Sequence, residues 1–276
     1  MNIVWSVLIV AGVAAIAVTA LLLVRRRAPE GSFFADGDRA AGVFGVLATG
    51  FSVLLGFIIF LGFESYDQSR SGAEQEAVVV LQQLENAQFF PQPARGQLTA
   101  ELVCYGRSVV NQEWDRMRAG SQGDALNPWG VRMFRTLRTV RPRTDTQQSA
   151  YDKWLDQTSA REEARQDRIH GAVGVIPTTL WIVLFFIAAV IFVFMLFFAD
   201  RGERAIVQGV LIGSVVAVIA ALLLVLRSLD EPFHNGVGGL QPVAMQRTLR
   251  MADEALGAIG TRLQPLCDAR GVPVAS

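Results

Sequence analysis

A stripe of small and hydroxyl-bearing residues crosses one long apolar segment of the sequence. Gly45, Thr49, Ser52 and Gly56 follow one another at steps of four, three and four residues, which places them on one face of a helix. Val, Leu, Ile and Phe occupy the other faces of that helix. In lipid, such a face makes close contact with another helix or forms the wall of a water-filled path. Both interpretations stay open at this point, and helix contact is the more common use of such a face.

A basic run could attract anions. It comprises Arg132, Arg135, Arg138, Arg141 and Arg143. On a helix, three of these arginines share the polar face, and we assign Arg132, Arg135 and Arg138 to a possible anion funnel or to contact with lipid phosphates. A solvated helix face is the more ordinary interpretation. No aromatic residues alternate with the run in a base-stacking pattern, so nucleic acid is not an expected partner.

The residue types that usually carry catalysis are not arranged for it. His170 and His234 have no partner at zinc-protease spacing, and Glu162 and Glu163 are expected to be solvated. The sequence contains neither a phosphate-binding glycine loop nor a nucleophile elbow. No ionisable residue lies deep inside an apolar segment, which argues against a proton-coupled pump. We therefore expect no enzyme, no metal and no cofactor.

Composition and hydropathy place these residues in a membrane protein. Of 276 residues, 51% are hydrophobic and 18% are charged, with 25 acidic and 25 basic residues. Four apolar runs reach the roughly 20 residues that a helix needs to cross a bilayer. These runs are spans one to four, at residues 3–24, 41–63, 174–199 and 205–226. Span one is followed by its basic cluster rather than preceded by it, so we expect it to be retained rather than cleaved as a signal peptide.

The distribution of arginines gives a narrow preference for orientation. Six lie in the short loops between spans one and two and between spans three and four, and five lie near span ends on the opposite side. The positive-inside rule then places both termini and the large loop outside the cytoplasm. Cys104 and Cys267 both fall on that side, where they could form one disulfide, although two separate thiols remain the alternative. The expected location is the plasma or inner membrane.

The loop after span two is predicted to be a helical domain. Span two runs without a breaker from Ala41 to Asn86, and Pro91 and Pro93 end it. A helix from Arg95 to Ala119 and another that begins at Pro128, capped by Asn127, follow. A further helix starts at Thr144 and is expected to run straight into span three. The predicted inward positions on these helices are Ala73, Ala77, Val80 or Leu81, Leu84, Ala87, Leu98, Leu102, Tyr105, Val109, Trp129, Met133, Leu137, Val140, Tyr151 and Trp154.

Span four and the final helix carry packing patterns. Gly209, Gly213, Ala217 and Ala221 are each four residues apart, which is typical of close helix–helix contact within or between subunits. A last helix has Met245, Leu249, Ala252, Leu256, Ile259 and Leu263 at positions where they can pack on the bundle or on a neighbouring subunit.

Several short motifs resemble one known family. They are Leu54-Leu55-Gly56-Phe57, Tyr66, Arg70, Glu76-Ala77, Leu229-Asp230 and Pro232-Phe233. The pattern, from span one to Phe233, resembles the bacterial bestrophin-like proteins, a group of four-span membrane proteins. The resemblance implies kinship with bestrophins, which are pentameric anion channels whose second span lines the pore. By position, Gly56, Phe57, Phe60 and Phe63 would then lie near a constriction. Bestrophins keep their soluble helices in the cytoplasm, opposite to the orientation that the arginines and cysteines favour here.

The sequence thus predicts an all-α, four-span integral membrane protein with a helical-bundle extramembrane domain built on extensions of spans two and three. Its predicted parts are a first transmembrane hairpin (1–63), the helical domain (64–173), a second hairpin (174–226) and a C-terminal segment with one helix (227–276). We expect a homo-oligomer in membrane lipid that passes a small anion along span two, with aromatic residues as a hydrophobic gate. The alternative is a non-conducting interaction or sensor protein with a helical extracytoplasmic domain.

Overall fold

The computed structural model describes residues 3–121, 127–258, 260 and 266–274. Its helices are α1 (Ile3–Arg25), α2 (Gly37–Ala87), α3 (Ala94–Ser108), α4 (Trp114–Arg118), α5 (Pro128–Thr139), α6 (Asp145–His170), α7 (Thr178–Phe197), α8 (Ala205–Asp230) and α9 (Val243–Ala258). A π-helical segment, Val109–Glu113, joins α3 to α4, and a 3₁₀ turn, Gly171–Val173, follows α6. Within the described residues no strand forms, and one isolated bridge joins Cys267 and Pro273.

Four of these helices, α1, α2, α7 and α8, are long and apolar enough to cross a membrane. The predicted all-α, four-span fold class is therefore confirmed. The chain forms two compact units. The span unit contains the described residues up to Glu64, Gly174–Asp230 and His234–Gly238, and the bundle unit contains Ser65–Val173, Glu231–Phe233 and the described residues from Gly239 onward.

Helix α2 is continuous for 51 residues and belongs to both units. In the span unit it buries Phe51, Leu55 and Ile58, while in the bundle unit it buries the stripe that includes Val80 and Leu84. The buried stripe of the span is followed by the buried stripe of the bundle with no proline between them, and the glycines in this stretch do not interrupt the helix. The segment therefore stays helical across Glu64.

The core of the span unit forms where α1 and α8 pack together and where α2 meets α7. Gly209 and Gly213 on α8 lie against Val18 of α1: a methyl group added at Gly213 would come within 3.1 Å of a Val18 methyl carbon. Phe34 and Phe44 stack on Phe194 with ring centroids 5.4 and 5.7 Å apart. The small residues thus allow close backbone approach on one side, and aromatic rings fill the other.

The bundle unit forms its core from the positions that the helical periods predicted. Leu98, Leu102 and Tyr105 on α3 and Trp129 and Met133 on α5 are buried together. Caps define where its helices begin. The Asn127 side chain accepts a hydrogen bond from Trp129 N at 3.0 Å, and the Thr144 hydroxyl accepts one from Gln147 N at 3.2 Å.

The prediction that the helix from Thr144 runs straight into span three is wrong. Helix α6 ends at His170, and α7 begins only at Thr178. Gly174 has φ +67°, a left-handed conformation that favours glycine, and Pro177, which directly precedes α7, has no backbone N–H to extend the previous helix.

The carboxylate of Asp230, at the end of α8, holds the turn that precedes α7. It accepts hydrogen bonds from Val175 N at 2.8 Å and Ile176 N at 2.9 Å, and from the indole N–H of Trp181 at 3.3 Å. A buried carboxylate with three donors is well satisfied. Asp230, quoted above as part of a family-like motif, therefore has a clear structural role.

The chain beyond α9 is described at residues 266–274, which we call the C-terminal strap. Trp129 donates its indole hydrogen to Gly271 O at 2.8 Å, and a disulfide joins Cys267 to Cys104 on α3. Helix α9 buries Met245, Ala252 and Leu256 as predicted, and Leu249 packs against the same core. Ile259 and Leu263 of the predicted helix lie outside the described residues.

Candidate functional site

The first candidate site is the face of α2 that carries Gly45, Thr49, Ser52 and Gly56. All four residues are exposed in the isolated chain. A methyl group added at Gly45 or Gly56 would meet no atom within 4 Å. The Ser52 hydroxyl donates to Ala48 O at 2.9 Å, as hydroxyls in helices commonly do, and its oxygen retains acceptor capacity. This face is therefore not a packing surface for any other described part of the chain.

The aromatic residues expected near a constriction lie along the same uncovered side of α2. Phe57 and Phe60 are each 60% exposed, and Phe63 is 53% exposed. On the opposite side of the helix, Leu55 and Ile58 are each 2% exposed. One face of α2 thus packs within its own chain. The other face carries small residues followed by phenylalanines and is exposed.

The predicted funnel arginines Arg132, Arg135 and Arg138 are all exposed on α5. Arg132 lies over the ring of Trp129 at 4.7 Å, which restrains its guanidinium group by a cation–π contact. Helix α5 contains no acidic residue. The exposed side of α5 is therefore a positively charged surface.

The predicted packing stripe of span four meets α1 at two of its residues. Gly209 and Gly213 contact Val18, whereas Ala217 is half-buried and Ala221 is exposed. Ala217 and Ala221 line a shallow groove together with Ser6, Val10 and other residues of α1. The stripe thus follows α1, and its contact is tightest at the glycines.

A second candidate site is a group of charged side chains buried in the bundle unit, which we call the charge cluster: Glu76, Glu113, Arg161, Arg165 and Arg168. Arg168 is completely buried and donates to both oxygens of Glu76, at 2.5 and 3.1 Å. Its Nη2 also donates to Glu113 Oε2 at 2.6 Å. Such a two-point contact between guanidinium and carboxylate is the strongest geometry for this pair of groups.

The π-helical segment places Glu113 in the charge cluster. A π-helical turn contains an extra residue and rotates the side chains that follow it, a distortion often found at functional sites. Glu113 accepts from Arg165 at 3.4 Å and from the Asn127 amide at 2.8 Å. The two preceding residues, Asn111 and Gln112, donate outward to the carbonyls of Ala269 and Arg270 on the C-terminal strap. The segment therefore connects the strap to the cluster.

Polar residues extend the cluster along the contact between α2 and α6. The Tyr105 hydroxyl donates to Glu76 Oε1 at 2.5 Å, and the Arg161 guanidinium lies 4.9 Å from the Tyr105 ring centroid. Arg161 also donates to Gln83 Oε1 at 2.8 Å. Further along, the Asn86 amide donates to Ala150 O at 2.9 Å. Hydrogen bonds between buried polar groups thus fix the register of these two helices.

The surroundings of the charge cluster determine its protonation. Burial alone raises the pKa of Glu113, but the guanidinium groups of Arg168 and Arg165 more than offset this effect, so its pKa lies below the usual range. Burial raises the pKa of Tyr105 well above its usual value, with a further contribution from the Glu76 carboxylate. Glu113 therefore stays ionised at neutral pH, and the Tyr105 phenol keeps the proton that it donates to Glu76.

Glu101 of α3 shows the opposite behaviour from Glu113. It accepts a hydrogen bond from the Thr136 hydroxyl at 3.0 Å, and burial raises its pKa despite that bond and despite the charge of Arg132. Its other oxygen, Oε2, is buried and has no hydrogen-bond partner among the residues that the structure describes. Burial makes the carboxylate costly to ionise, and Thr136 and Arg132 do not offset that cost, so Glu101 holds its proton more firmly than an exposed glutamate.

Sequence reasoning did not identify the charge cluster. Arg161, Arg165 and Arg168 of α6 are three of the five arginines that the sequence places near span ends opposite the short loops, yet all three are buried. A signal was present: these arginines fall at steps of four and three from one another, on the same helical face as the predicted inward residue Trp154. Among the described residues, no group of histidine, cysteine, aspartate and glutamate could hold a metal ion.

Fold and sites together define a four-span membrane protein whose second span continues into a helical bundle. The family described as having a Bestrophin-like domain matches residues 11–245 of the chain. The chain belongs to this bestrophin-like family, as the motifs suggested. No curated protein sequence matches the chain.

Solved structures show the same fold at low sequence identity. A crystal structure of a bacterial bestrophin homologue from Klebsiella pneumoniae, carrying a point mutation, superposes with a TM-score of 0.66 at 13% identity, covering 92% of this chain and 99% of that one. A second point variant of the homologue from that organism superposes with a TM-score of 0.64 at 13% identity, covering 93% of this chain and 100% of that one. A crystal structure described only as a membrane protein superposes with a TM-score of 0.63 at 15% identity, covering 94% of this chain and 99% of that one. Identities this low establish the shared fold alone.

Proposed function

We propose that the chain forms a homo-oligomeric channel for small anions in which span two lines the path. The observation that carries the proposal is the uncovered face of α2, where Gly45, Thr49, Ser52 and Gly56 are exposed while the opposite face is buried in the same chain. Close packing on another helix of the same chain, the more common use of such a face, is not found among the described residues. One helix face cannot enclose water, so a path along it needs several copies around an axis.

The phenylalanines on the same side are proposed to form the gate. A ring of exposed aromatic side chains at Phe57, Phe60 and Phe63 makes a narrow apolar constriction, which interrupts a water column by dewetting. Above or below it, the glycine and hydroxyl positions leave a wider and more polar lining. The arginines Arg132, Arg135 and Arg138 are proposed to raise the local concentration of anions. In this proposal the protein is not an enzyme and its function needs no cofactor.

The disulfide supports an extracytoplasmic position for the bundle unit. Disulfides persist in oxidising compartments and are rare in the reducing cytosol. Because Cys104 and Cys267 are joined, we propose that the large loop and both termini lie on the extracytoplasmic side of the plasma or inner membrane. This orientation agrees with the arginine distribution between the spans. A cysteine introduced at exposed Arg138 in the otherwise disulfide-bonded protein should react with an impermeant maleimide in intact cells or spheroplasts. Labelling only after the membrane is opened would place the bundle unit in the cytoplasm.

Recording from purified protein in planar bilayers tests conduction. We expect chloride current from the wild type and a larger current from Phe60→Ala, because removing the ring widens the proposed constriction. Phe186→Ala is the matched control: Phe186 is 67% exposed on α7, a helix that is not proposed to line the path, and its removal should leave the current unchanged. No current in chloride solutions across the voltage range, or a monomeric mass in detergent, would reject the channel and favour the non-conducting interaction protein.

A further inference from the structure

A cleft of about 740 Å³ opens among α1, α7 and α8 of the span unit. Apolar side chains from all three helices line it, among them Ile16, Phe192 and Leu224. The residues with polar groups that line it are Arg227 and Trp181. All three helices are long and apolar enough to cross a membrane, so a cleft that opens among them inside a bilayer would meet lipid acyl chains.

The polar groups lie at one end of the cleft. The Trp181 indole donates to Asp230, which follows Arg227 by less than one helical turn on α8. Trp181 lies near the start of α7 and Arg227 near the end of α8, which are the positions where tryptophan and arginine meet the membrane interface. The opposite end, near Met195 and Val216, carries no charge. The cleft is therefore polar at the interface and apolar inside.

The cleft is about as long as one leaflet. Its lining runs from Val216 to Arg227 on α8, a distance of about 17 Å at 1.5 Å per residue. Half of a hydrocarbon core is about 15 Å. A single acyl chain that enters from the interface would fill this length and leave its head group beside Arg227.

We propose that this cleft binds one acyl chain of an anionic phospholipid, with the lipid phosphate at Arg227. Guanidinium groups match phosphate oxygens in geometry and charge, and basic positions between membrane helices bind anionic head groups. The site requires only that the four helices cross a membrane, so it is independent of whether the protein conducts ions.

Contact quenching of Trp181 by brominated acyl chains tests the site. The full-length protein, with Trp5→Phe to remove the exposed indole of α1, is reconstituted in phosphatidylcholine vesicles that contain brominated phosphatidylglycerol or brominated phosphatidylcholine. The remaining tryptophans, Trp114, Trp129 and Trp154, are fully buried in the bundle unit and give a constant background. Brominated phosphatidylglycerol should quench Trp181 at an about fivefold lower mole fraction, since one arginine near an anionic lipid contributes about 1 kcal/mol.

Variants separate the head-group contact from the acyl-chain contact. Arg227→Gln should abolish the preference for phosphatidylglycerol, and Arg227→Lys should retain it, which shows that any loss is not a folding failure. Arg204→Gln, a matched change at the residue that precedes the other end of α8, should have no effect. Ala220→Phe, which fills the cleft, should weaken quenching by both lipids. Equal quenching by the two lipids in the parent protein would overturn the proposal. So would protection of Trp181 from both lipids, the result expected if a second copy of the chain covers the cleft.

Discussion

Arg168 of α6 donates to both carboxylate oxygens of Glu76 on α2, at 2.5 and 3.1 Å, and both side chains are fully buried. The same guanidinium reaches Glu113 and lies 5.8 Å from the centroid of the Trp114 ring. Arg168 therefore connects three segments of the bundle unit through one side chain. A buried ion pair of this kind adds little net stability over an apolar substitute, but leaving one partner without the other is strongly unfavourable.

Replacing Arg168 by methionine should destabilise the bundle unit by about 3–5 kcal/mol, because Glu76 and Glu113 would remain buried without their main cation. Denaturant unfolding in detergent, followed by the fluorescence of the buried tryptophans, measures the change. Arg70→Met is the matched control. Arg70 pairs with Glu74 at 3.2 Å on the exposed side of α2, and surface pairs contribute about 1 kcal/mol or less. If both variants lost the same free energy of unfolding, the buried ion pair would contribute no more to stability than the exposed one.

The pKa of Glu113 predicts an acid-sensitive step. Its pKa in the folded protein lies below the usual value of 4.5, so its ionised form stabilises the fold. This contribution is fully present above the pKa of the unfolded chain and is lost as pH falls through the lower folded pKa. We expect the unfolding temperature of the wild type to decrease below about pH 4.5, and Glu113→Gln to show a weaker dependence on pH in the same range.

A titration of unfolding temperature between pH 7 and pH 3 measures this difference. At neutral pH, Glu113→Gln should be less stable than the wild type, because Arg168 and Arg165 lose a charged partner. Asp115→Asn, a change at an exposed carboxylate two residues away, is the control and should keep the wild-type slope. Parallel slopes for wild type and Glu113→Gln would assign the acid sensitivity to other groups.

Much of the fold can be predicted from the sequence because the spacing of apolar residues indicates each helix and its buried face. The continuous α2, the inward positions of α3 and α5, and the caps at Asn127 and Thr144 depend on interactions within about one turn of each residue. The face that contains Thr49 and Ser52 was identified for the same reason. Its use as a path depends on the arrangement of several copies, which a single chain does not specify, so the pore-lining residues remain predictions.

The sequence places the arginines of the charge cluster on one helical face, but it does not identify their acidic partners, which lie far away in the sequence. Arg168 is 92 residues from Glu76, and an arginine without a known partner is assigned to solvent by default. The break between α6 and α7 was missed for a different reason. Gly171, Gly174 and Pro177 were visible in the sequence, but the long apolar run that follows was extended back across them. Tertiary contact by Asp230 then fixes the turn.

Because α2 and α6 approach closely at Gly72, we expect any larger residue at this position to destabilise the bundle unit. A methyl group added there would lie 2.7 Å from Ala164 O and would also clash with Arg168 N, so backbone rather than a flexible side chain would have to move. We expect Gly72→Ala to destabilise the bundle unit by about 1–3 kcal/mol, the usual cost of overpacking. Gly130→Ala on α5 is the matched control. Its nearest neighbour is Glu162 Oε1 at 3.9 Å, and the change should stabilise by up to about 1 kcal/mol through helix propensity.

Both glycine variants are measured by the same denaturant unfolding. A wild-type midpoint for Gly72→Ala would mean that α2 and α6 are further apart than the structure places them. A loss in Gly130→Ala as large as that in Gly72→Ala would instead point to a general effect of substituting helical glycines.

The disulfide between Cys104 and Cys267 predicts that the C-terminal strap depends on oxidation. The bond joins residues 163 positions apart, with Cα atoms 5.8 Å from each other. Cys104→Ser with Cys267→Ser should lower the stability of the bundle unit by about 2–5 kcal/mol, the usual effect of removing a native disulfide. The strap should also become more accessible to protease, because its remaining attachment is a set of hydrogen bonds such as that from Trp129 to Gly271 O. Reducing agent should reproduce both effects in the wild type and have none in the double variant. If reduction left the wild-type unfolding midpoint and digestion pattern unchanged, the strap would be held by its non-covalent contacts alone, and the disulfide would no longer support an oxidising compartment for the bundle unit.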